Sequence, residues 1–469
     1  MREKKYKLTI SLMVSNRKDT VPKTLESLKP ILDNVSSELI VTDTGCDEEL
    51  LEIIRKYTDN IIKFQWCNDF SKARNVSLSM AQGEWYMYVD DDEWFEDVTP
   101  IIDFFNSGES ENFNAFDYIQ RNYWDFQGTA WRDTPVGRAI RLSDTVMFKD
   151  AIHEHFSEYM EPIKMLNAYV HHYGYVYKTK EDHLKHAKRN LDLLEKQLED
   201  GNCCLRQYVH MLQEHNGLEQ HELAYERAVQ AIDISKGNKE INRRYLSGIK
   251  CNVAHSLLWL GKNEETVQKM NEYLAEGDLS LPAYCVINGY LAHAYFNLSD
   301  VEGVLRSVRE YFLLRDFFKD KSEKVVRDCI LVMGSAFSGT MPNMIFYMGL
   351  VCALEKADEE MAVFIMKHKD IIGRVSCPGE GDWLKRLVEM MADSDEKAIF
   401  ADTLIDYMDD LMCATKICNK LLDIKETDEA KFMELAETFA NSESENTHVK
   451  LLKTIYCGIK GEVNKLKKN

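Results

Sequence analysis

The chain has 469 residues, more than one ordinary core accommodates, so two or more domains are expected. A composition of 45% hydrophobic and 29% charged residues is globular, and a formal net charge of -20 argues against a general nucleic-acid or anionic-membrane binder. No apolar run is long enough to span a bilayer, and the twelve cysteines are scattered without CxxC spacing, which indicates neither a structural zinc site nor a disulfide framework. These features read as a reduced, cytoplasmic protein without integral membrane contact. Adjacent Cys203 and Cys204 read as buried helix surface, and the lysine-rich stretch 460–468 as a solvated end.

Strand-like and helix-like segments alternate over the first part of the chain. Residues 8–14 form a buried strand and 21–32 a helix. A second strand, 38–43, ends in an acid and is followed by a helix over 50–57. A third strand covers 61–64, a helix 71–81, and a fourth strand runs through Trp85 and Val89 straight into Asp90-Asp91-Asp92-Glu93. Such βαβ alternation predicts an α/β, Rossmann-like, mostly parallel sheet with helices on both faces. Residues 114–177 are richer in aromatics and turns, as loops and edge strands around a site would be.

Four acids at the C-terminal end of a buried strand lie where open α/β sheets bind ligands. Clustered carboxylates repel one another unless a hard divalent cation bridges them, and such a cation keeps positions open for phosphate oxygens. The bland alternative is a strand running into a solvated acidic turn. Three further clusters belong at the same edge: Ser15-Asn16-Arg17 after the first strand, Asp43-Thr44-Gly45 after the second, and Asn68-Asp69-Phe70-Ser71-Lys72-Ala73-Arg74-Asn75. In the last, Ser71 is suited to cap the helix that follows, with Arg74 one turn inside it and able to swing toward phosphate or ribose oxygens.

In order and spacing these clusters resemble the nucleotide-sugar domain of family 2 glycosyltransferases, which have the GT-A fold. Asp69-Phe70-Ser71-Lys72-Ala73-Arg74-Asn75 and Ala81-Gln82-Gly83-Glu84-Trp85, leading to Asp90-Asp91-Asp92-Glu93, are nearly intact. The second motif departs: Cys46, Asp47 and Glu48 stand where the family has Ser, Thr and Asp, so no ligand role carries over to Glu48. The resemblance covers residues 7–178 and implies a UDP-sugar site. Asp43 would face uracil or ribose, with Ser15, Asn16, Asp69 and Arg74 nearby. Asp90 would lie near the ribose and Asp92 on a Mn²⁺ or Mg²⁺ ion bound to the diphosphate. Asp91-x-Glu93 fits the same spacing; the 90/92 phase is preferred because Glu93 then matches the family's following acid, and Asp91 is counted with the donor site.

Ile152-His153-Glu154-His155, His171-His172-Tyr173-Gly174-Tyr175 and Arg138-Ala139-Ile140-Arg141 resemble one branch of the family. In that branch tetratricopeptide-like helices follow the catalytic domain, and it includes bacteriocin S-glycosyltransferases. The resemblance makes His172 a candidate nitrogen ligand to the metal and adds Arg138 and Arg141 to the donor site. His153 would stabilise the leaving diphosphate or approach the metal. Glu154 is the candidate base, with Asp133 and Asp144 behind it.

Beyond about residue 178 strand patterns vanish and amphipathic helices follow one another. Ala254-His255-Ser256-Leu257-Leu258-Trp259-Leu260-Gly261 and Ala292-His293-Ala294-Tyr295-Phe296-Asn297-Leu298-Ser299 resemble each other at a helix-pair repeat spacing, and a weaker third copy is expected at 348–366. The expected plan is therefore a catalytic domain over 1–178 and an all-α, TPR-like domain over 179–469 that binds an acceptor or forms a homodimer. The expected activity is inverting, metal-dependent transfer of a hexose or N-acetylhexosamine from a UDP-sugar to Ser, Thr or Cys of a protein or peptide. The alternatives are a cell-surface polysaccharide or lipid-linked acceptor, or a non-catalytic helical adaptor with a degenerate sugar-nucleotide domain.

Overall fold

A computed structural model describes residues 4–200, 204–236, 242–318, 337, 340–369 and 382–466. The chain divides into two compact units, Met1–Cys203 and Cys204–Asn469.

In the first unit, β1 (Tyr6–Val14) is buried at every position from Leu8 to Leu12, the pattern of a strand covered on both faces. α1 (Val21–Asn34) opens with proline in its first turn and buries Val21, Leu25, Leu28 and Ile31 on one stripe. Next come β2 (Ser37–Asp43), α2 (Glu48–Ile54), β3 (Ile61–Lys63), α3 (Phe70–Met80) and β4 (Gly83–Asp90). The helix predicted to be capped by Ser71 is capped instead by Asp69, whose carboxylate accepts from Lys72 N at 2.9 Å and Ser71 Oγ at 2.7 Å. Asp69 has the extended backbone an N-cap requires, whereas Ser71 already lies inside the helix.

β5 (Glu93–Phe95), α4 (Thr99–Asn106), β6 (Ala115–Tyr123), β7 (Trp131–Arg141), the short pair β8 (Phe148–Lys149) and β9 (His155–Phe156), β10 (Ile163–His172) and α5 (Lys180–Glu199) complete the unit. Among the described residues eight strands make one sheet in the order β3-β2-β1-β4-β7-β6-β10-β5. Four of its seven pairings are parallel; β7 runs antiparallel to both β4 and β6, and β5 antiparallel to β10. β4 alternates faces. Trp85, Met87 and Val89 enter the larger core with Phe104, Phe105 and Phe116, while Tyr86 and Tyr88 pack on the other face with Phe148 and Phe156. Each such fully buried large side chain contributes roughly 1.5–3 kcal/mol.

Register then sets the site. Asp43 lies opposite Val14, Asp90 opposite Met13, and His172 opposite both Glu93 and Asn122, so the acids and His172 share one edge of the sheet.

α5 belongs to the first unit, so the division falls one helix later than residue 178. The second unit is helical: α6 (Leu205–Gly217), α7 (His221–Ser235), α8 (Arg243–Trp259), α9 (Asn263–Glu276), α10 (Leu281–Asn297), α11 (Val301–Phe318), α12 (Thr340–Lys356), α13 (Glu359–Met366), α14 (Trp383–Asp393), α15 (Lys397–Tyr407), α16 (Leu411–Thr427), α17 (Glu429–Ala440) and α18 (Thr447–Leu466). α6, α8 and α10 begin at even spacing, and each packs on its successor and on the helix two places along, as in a helix-pair solenoid. The two matching segments fall in α8 and α10, and the expected third copy falls on α12 and α13. Cys204 is exposed ahead of α6 rather than on buried helix surface; Cys203, Lys467 and Lys468 lie outside the described residues.

Candidate active site at the sheet edge

Arg74 projects from α3 into the smaller core and is 2% exposed. Its Nη2 donates to Asp90 Oδ1 and its Nε to Glu154 Oε1 at 2.5 Å. Arg138, on β7, donates through Nη2 to Asp90 Oδ2 at 2.8 Å and to Glu93 Oε1 at 2.7 Å. The Tyr88 ring lies against both guanidiniums, 4.4 and 4.6 Å from their carbons. Burial would raise the Asp90 pKa, but Arg138 and Arg74 outweigh it and hold the carboxyl below the usual range. Glu93 is fully buried, also accepts from Gln120 and from Tyr118 Oη, and is pushed up by that burial. Asp90, expected near a ribose, is thus pinned between two arginines, and Glu93 is an interior residue of β5. Among the described residues Arg74 Nη1, with its two N–H groups, is buried without a hydrogen-bond partner.

Asp91 is committed to the loop after β1. Its Oδ2 accepts from Ser15 N at 2.8 Å and Ser15 Oγ at 2.7 Å, and its backbone oxygen accepts from Thr20 Oγ1 at 2.6 Å. Asn16 ties that loop to α2 through two 3.2 Å bonds with Asp47. Asp43 is buried at the end of β2. Burial alone would raise its pKa, but the amides of Cys46 and Gly45 donate to Oδ1 at 2.7 and 2.9 Å and bring it below the usual value.

Asp92 is arranged differently. Its Oδ1 faces His172 Nε2 across 3.9 Å, and its Oδ2 accepts from Arg17 Nη1 at 2.6 Å. The other ring nitrogen of His172 lies 2.6 Å from Asn122 Oδ1. With Nδ1 protonated toward Asn122, Nε2 presents its lone pair on the Asp92 side. A Cβ on Gly174 would overlap that nitrogen, so glycine keeps it accessible. A hard oxygen and an imidazole nitrogen at this separation fit one Mn²⁺ or Mg²⁺ ion that takes its remaining ligands from phosphate and water. Among the described residues no three of His, Cys, Asp and Glu gather as a metal site.

Glu154 and His153 follow β8 in a loop whose Ala151 oxygen accepts from Phe70 N at 2.8 Å. Asn68 (φ 58°), Asp150 (φ 71°) and His153 (φ 53°) have left-handed backbones in these two touching segments, strain of the kind that clusters at functional sites. Arg141 is not brought to the edge. It lies opposite Trp85, about 17 Å along β4 from Asp90 at 3.4 Å per residue, and bonds Glu84 and Ser110 O. Because β7 runs antiparallel to β4, the three residues from Arg138 to Arg141 lead away from the site. Asp133 is paired with Arg121 at 3.0 and 3.2 Å, and Asp144 lies three residues beyond Arg141. The sequence carries no local signal that brings Asn122 or Tyr88 to the site, and Gly174 stands out there only as part of the His171–Tyr175 segment. Arg17 was visible only as the third member of the Ser15 cluster.

Residues 9–152 match the family model described as Glycosyl transferase family 2. Glycosyltransferase SunS of Bacillus phage SPbeta is 28% identical over 205 residues, 41% of this chain and 45% of that protein. A TPR repeat-containing protein of Synechococcus elongatus is 31% identical over 86 residues (18% and 20%), and the E. coli glucosyltransferase WfaP is 30% identical over 92 (19% and 36%). The chain therefore spans less than half the length of these curated relatives. Among solved structures, S. aureus TarS in complex with UDP-GlcNAc aligns with 67% of this chain and 92% of its own at 12% identity, but a TM-score of 0.30 lends that likeness no weight. The matched segment contains most of β1, all of β2 through β8, and the acids Asp43, Asp90, Asp91, Asp92 and Glu93, but stops short of Glu154; residues 9–152 are thus similar to a family 2 glycosyltransferase domain, and a helical unit follows.

Proposed function

We propose that the chain is a divalent-cation-dependent, inverting glycosyltransferase that moves a hexose or N-acetylhexosamine from a UDP-sugar to a side chain of a protein or peptide. The observation that carries this reading is the Asp92–His172 pair, oriented by Asn122, at the edge that also holds Asp43 and the Arg74–Asp90–Arg138 network. On this reading Asp92 and His172 hold Mn²⁺ or Mg²⁺, which when bound would offset charge on the departing UDP. On the same reading Asp43, Ser15 and Asn16 flank the nucleoside, and Arg74, through Asp90, backs the donor site. Glu154, fixed through Oε1 by Arg74, is assigned to take the acceptor's proton. A cysteine acceptor would need that help less, because a free thiol ionises near pH ~8.5.

The peptide acceptor is supported by the His-Glu and His-Tyr-Gly-Tyr segments, which resemble those of the S-glycosyltransferase branch. A cavity of about 600 Å³ bordered by α9, α10 and α11 supports it too. Leu274, Leu281, Leu291, Tyr284, Asn288 and Arg306 line it, a mix of apolar anchors and hydrogen-bonding groups suited to a polypeptide. The described cysteines are free thiols, in keeping with a reducing compartment, and no described helix is long and apolar enough to cross a membrane. A second reading, a sugar on a lipid diphosphate as acceptor, is favoured by the WfaP match, whose name specifies a diphosphoundecaprenol-linked substrate.

The test is intact-mass spectrometry of Cys- and Ser-containing peptides and of a lipid-diphosphate sugar, each incubated with a panel of UDP-sugars in Mn²⁺ or in EDTA. A hexose or N-acetylhexosamine increment on peptide, present only with metal and lowered about 100-fold or more in Asp92→Asn, is expected. Transfer to the lipid-linked sugar alone would overturn the peptide acceptor. No UDP-sugar turnover under any condition would overturn the whole reading.

A further inference from the structure

Arg17 is a cation in contact with the acids of this edge to which the mechanism above gives no task. Its Nη1 donates to Asp92 Oδ2 at 2.6 Å, its Nε lies 3.3 Å from Asp91 Oδ1, and its side chain is half exposed. Burial works against its charge, yet Asp92 and Asp91 outweigh that and raise its pKa. Asp91 is a fixed post, because Ser15 N and Oγ hold its other oxygen. Asp92 is shared: Arg17 occupies one oxygen while His172 faces the other. A guanidinium has five N–H groups in a planar fork. Those on Nη2 and the second on Nη1 are not needed for the two acids.

A carboxylate oxygen engaged by a guanidinium is a poorer partner for a metal ion, since both cations compete for one negative charge. The same guanidinium matches two phosphate oxygens at once. We propose, building on the UDP-sugar reading, that Arg17 is a diphosphate-binding residue that rests on Asp92 and passes to the diphosphate when a divalent cation takes that carboxylate. The Nε contact with Asp91 keeps its pivot in place while Nη1 changes partner. Each ligand then removes an obstacle to the other: metal frees Arg17 for phosphate, and phosphate frees Asp92 for metal. Such coupling is reciprocal by linkage.

The test measures Mn²⁺ binding alone by electron paramagnetic resonance, and UDP binding at saturating Mn²⁺ by calorimetry, on the full chain and on Arg17→Ala, Arg17→Gln and Arg17→Lys. Loss of a half-exposed ion pair should tighten Mn²⁺ binding about two- to fivefold in the Ala and Gln variants. Loss of a charge-assisted phosphate contact should weaken UDP about tenfold or more. Arg17→Lys should restore the wild-type Mn²⁺ affinity and only part of the UDP affinity. A residue that merely braced the loop would weaken both ligands, and a misfolded variant cannot bind Mn²⁺ more tightly, so the opposite signs are diagnostic. If the wild type binds both ligands and neutral variants bind Mn²⁺ no tighter, this proposal fails while the metal reading stands. If no form binds Mn²⁺ even in the presence of UDP, both fail together.

Discussion

Arg74 and Arg138 hold Asp90 between them and extend to Glu154 and Glu93, so five charged groups form one connected ion cluster. Removing one partner from a buried set leaves uncompensated charge, which costs far more than the intact pair contributes. Arg74→Met should therefore lower unfolding stability by about 3–5 kcal/mol, read from denaturant titration, and should abolish UDP binding in Mn²⁺. A loss below 1 kcal/mol would mean that Asp90 and Glu154 find water instead. The sequence disclosed Arg74 and Asp90 through local motifs. It did not disclose that Glu154, eighty positions away, completes the same ion cluster, because that contact depends on how the loop after β8 returns to α3. Asp91 and Asp92 illustrate the same limit: these adjacent identical residues share Arg17, and only the positions of Ser15 and His172 separate a loop anchor from a carboxylate that faces an imidazole.

At the level of elements, hydrophobic patterning placed β1 to β4 and α1 to α3 within a few residues, since each carries a run or stripe that only one period fits. The Arg141 assignment failed because strand direction is not written in a strand's own residues; the antiparallel entry of β7 reverses which of its residues approach the acids. The Asp69 cap was missed in favour of Ser71, although both residue types cap well, because boundaries shift by a residue or two without the backbone in view. The glycine of the Gly-Glu-Trp motif has a plain cause. A Cβ at Gly83 would overlap Thr9 N and come within 2.7 Å of Leu8 C, both of them backbone atoms of β1. Gly83→Ala should thus force β1 and β4 apart and cost about 1–3 kcal/mol, measured by thermal and denaturant unfolding. An unchanged melting curve would show that the sheet start yields. In the helical unit the even spacing of α6, α8 and α10 extends the repeat one pair earlier than the two matching segments, because α6 and α7 keep the geometry after losing the sequence resemblance.

Across the whole molecule, histidines set the first response to acid. His255 Nε2 accepts from Trp259 Nε1 at 3.1 Å, so it must carry a lone pair. Burial and neighbouring His221 push its pKa down to about 4, and burial with Arg189 does the same to His186 on α5. Above the unfolded value near 6.5 both states are neutral and nothing is lost. As pH falls from there to about 4 the unfolded chain takes up protons that the folded chain refuses, so stability declines across that window, by on the order of 2–3 kcal/mol for His255 and by less for the more exposed His186, whose charge water screens. The depressed carboxyls Asp43 and Asp69 add their loss only at lower pH. His255→Gln should flatten the fall in melting temperature between pH 6.5 and 4, followed by circular dichroism; a slope equal to wild type would assign it to other groups. The knot of Arg74, Asp90, Arg138, Glu93 and Glu154 carries a different lesson. Well-packed hydrocarbon in place of an entire interior ion cluster is often as stable or more so. A laboratory selection for heat tolerance alone would accordingly drift toward greasy replacements at these five positions, yielding sturdier proteins that no longer recognise a donor.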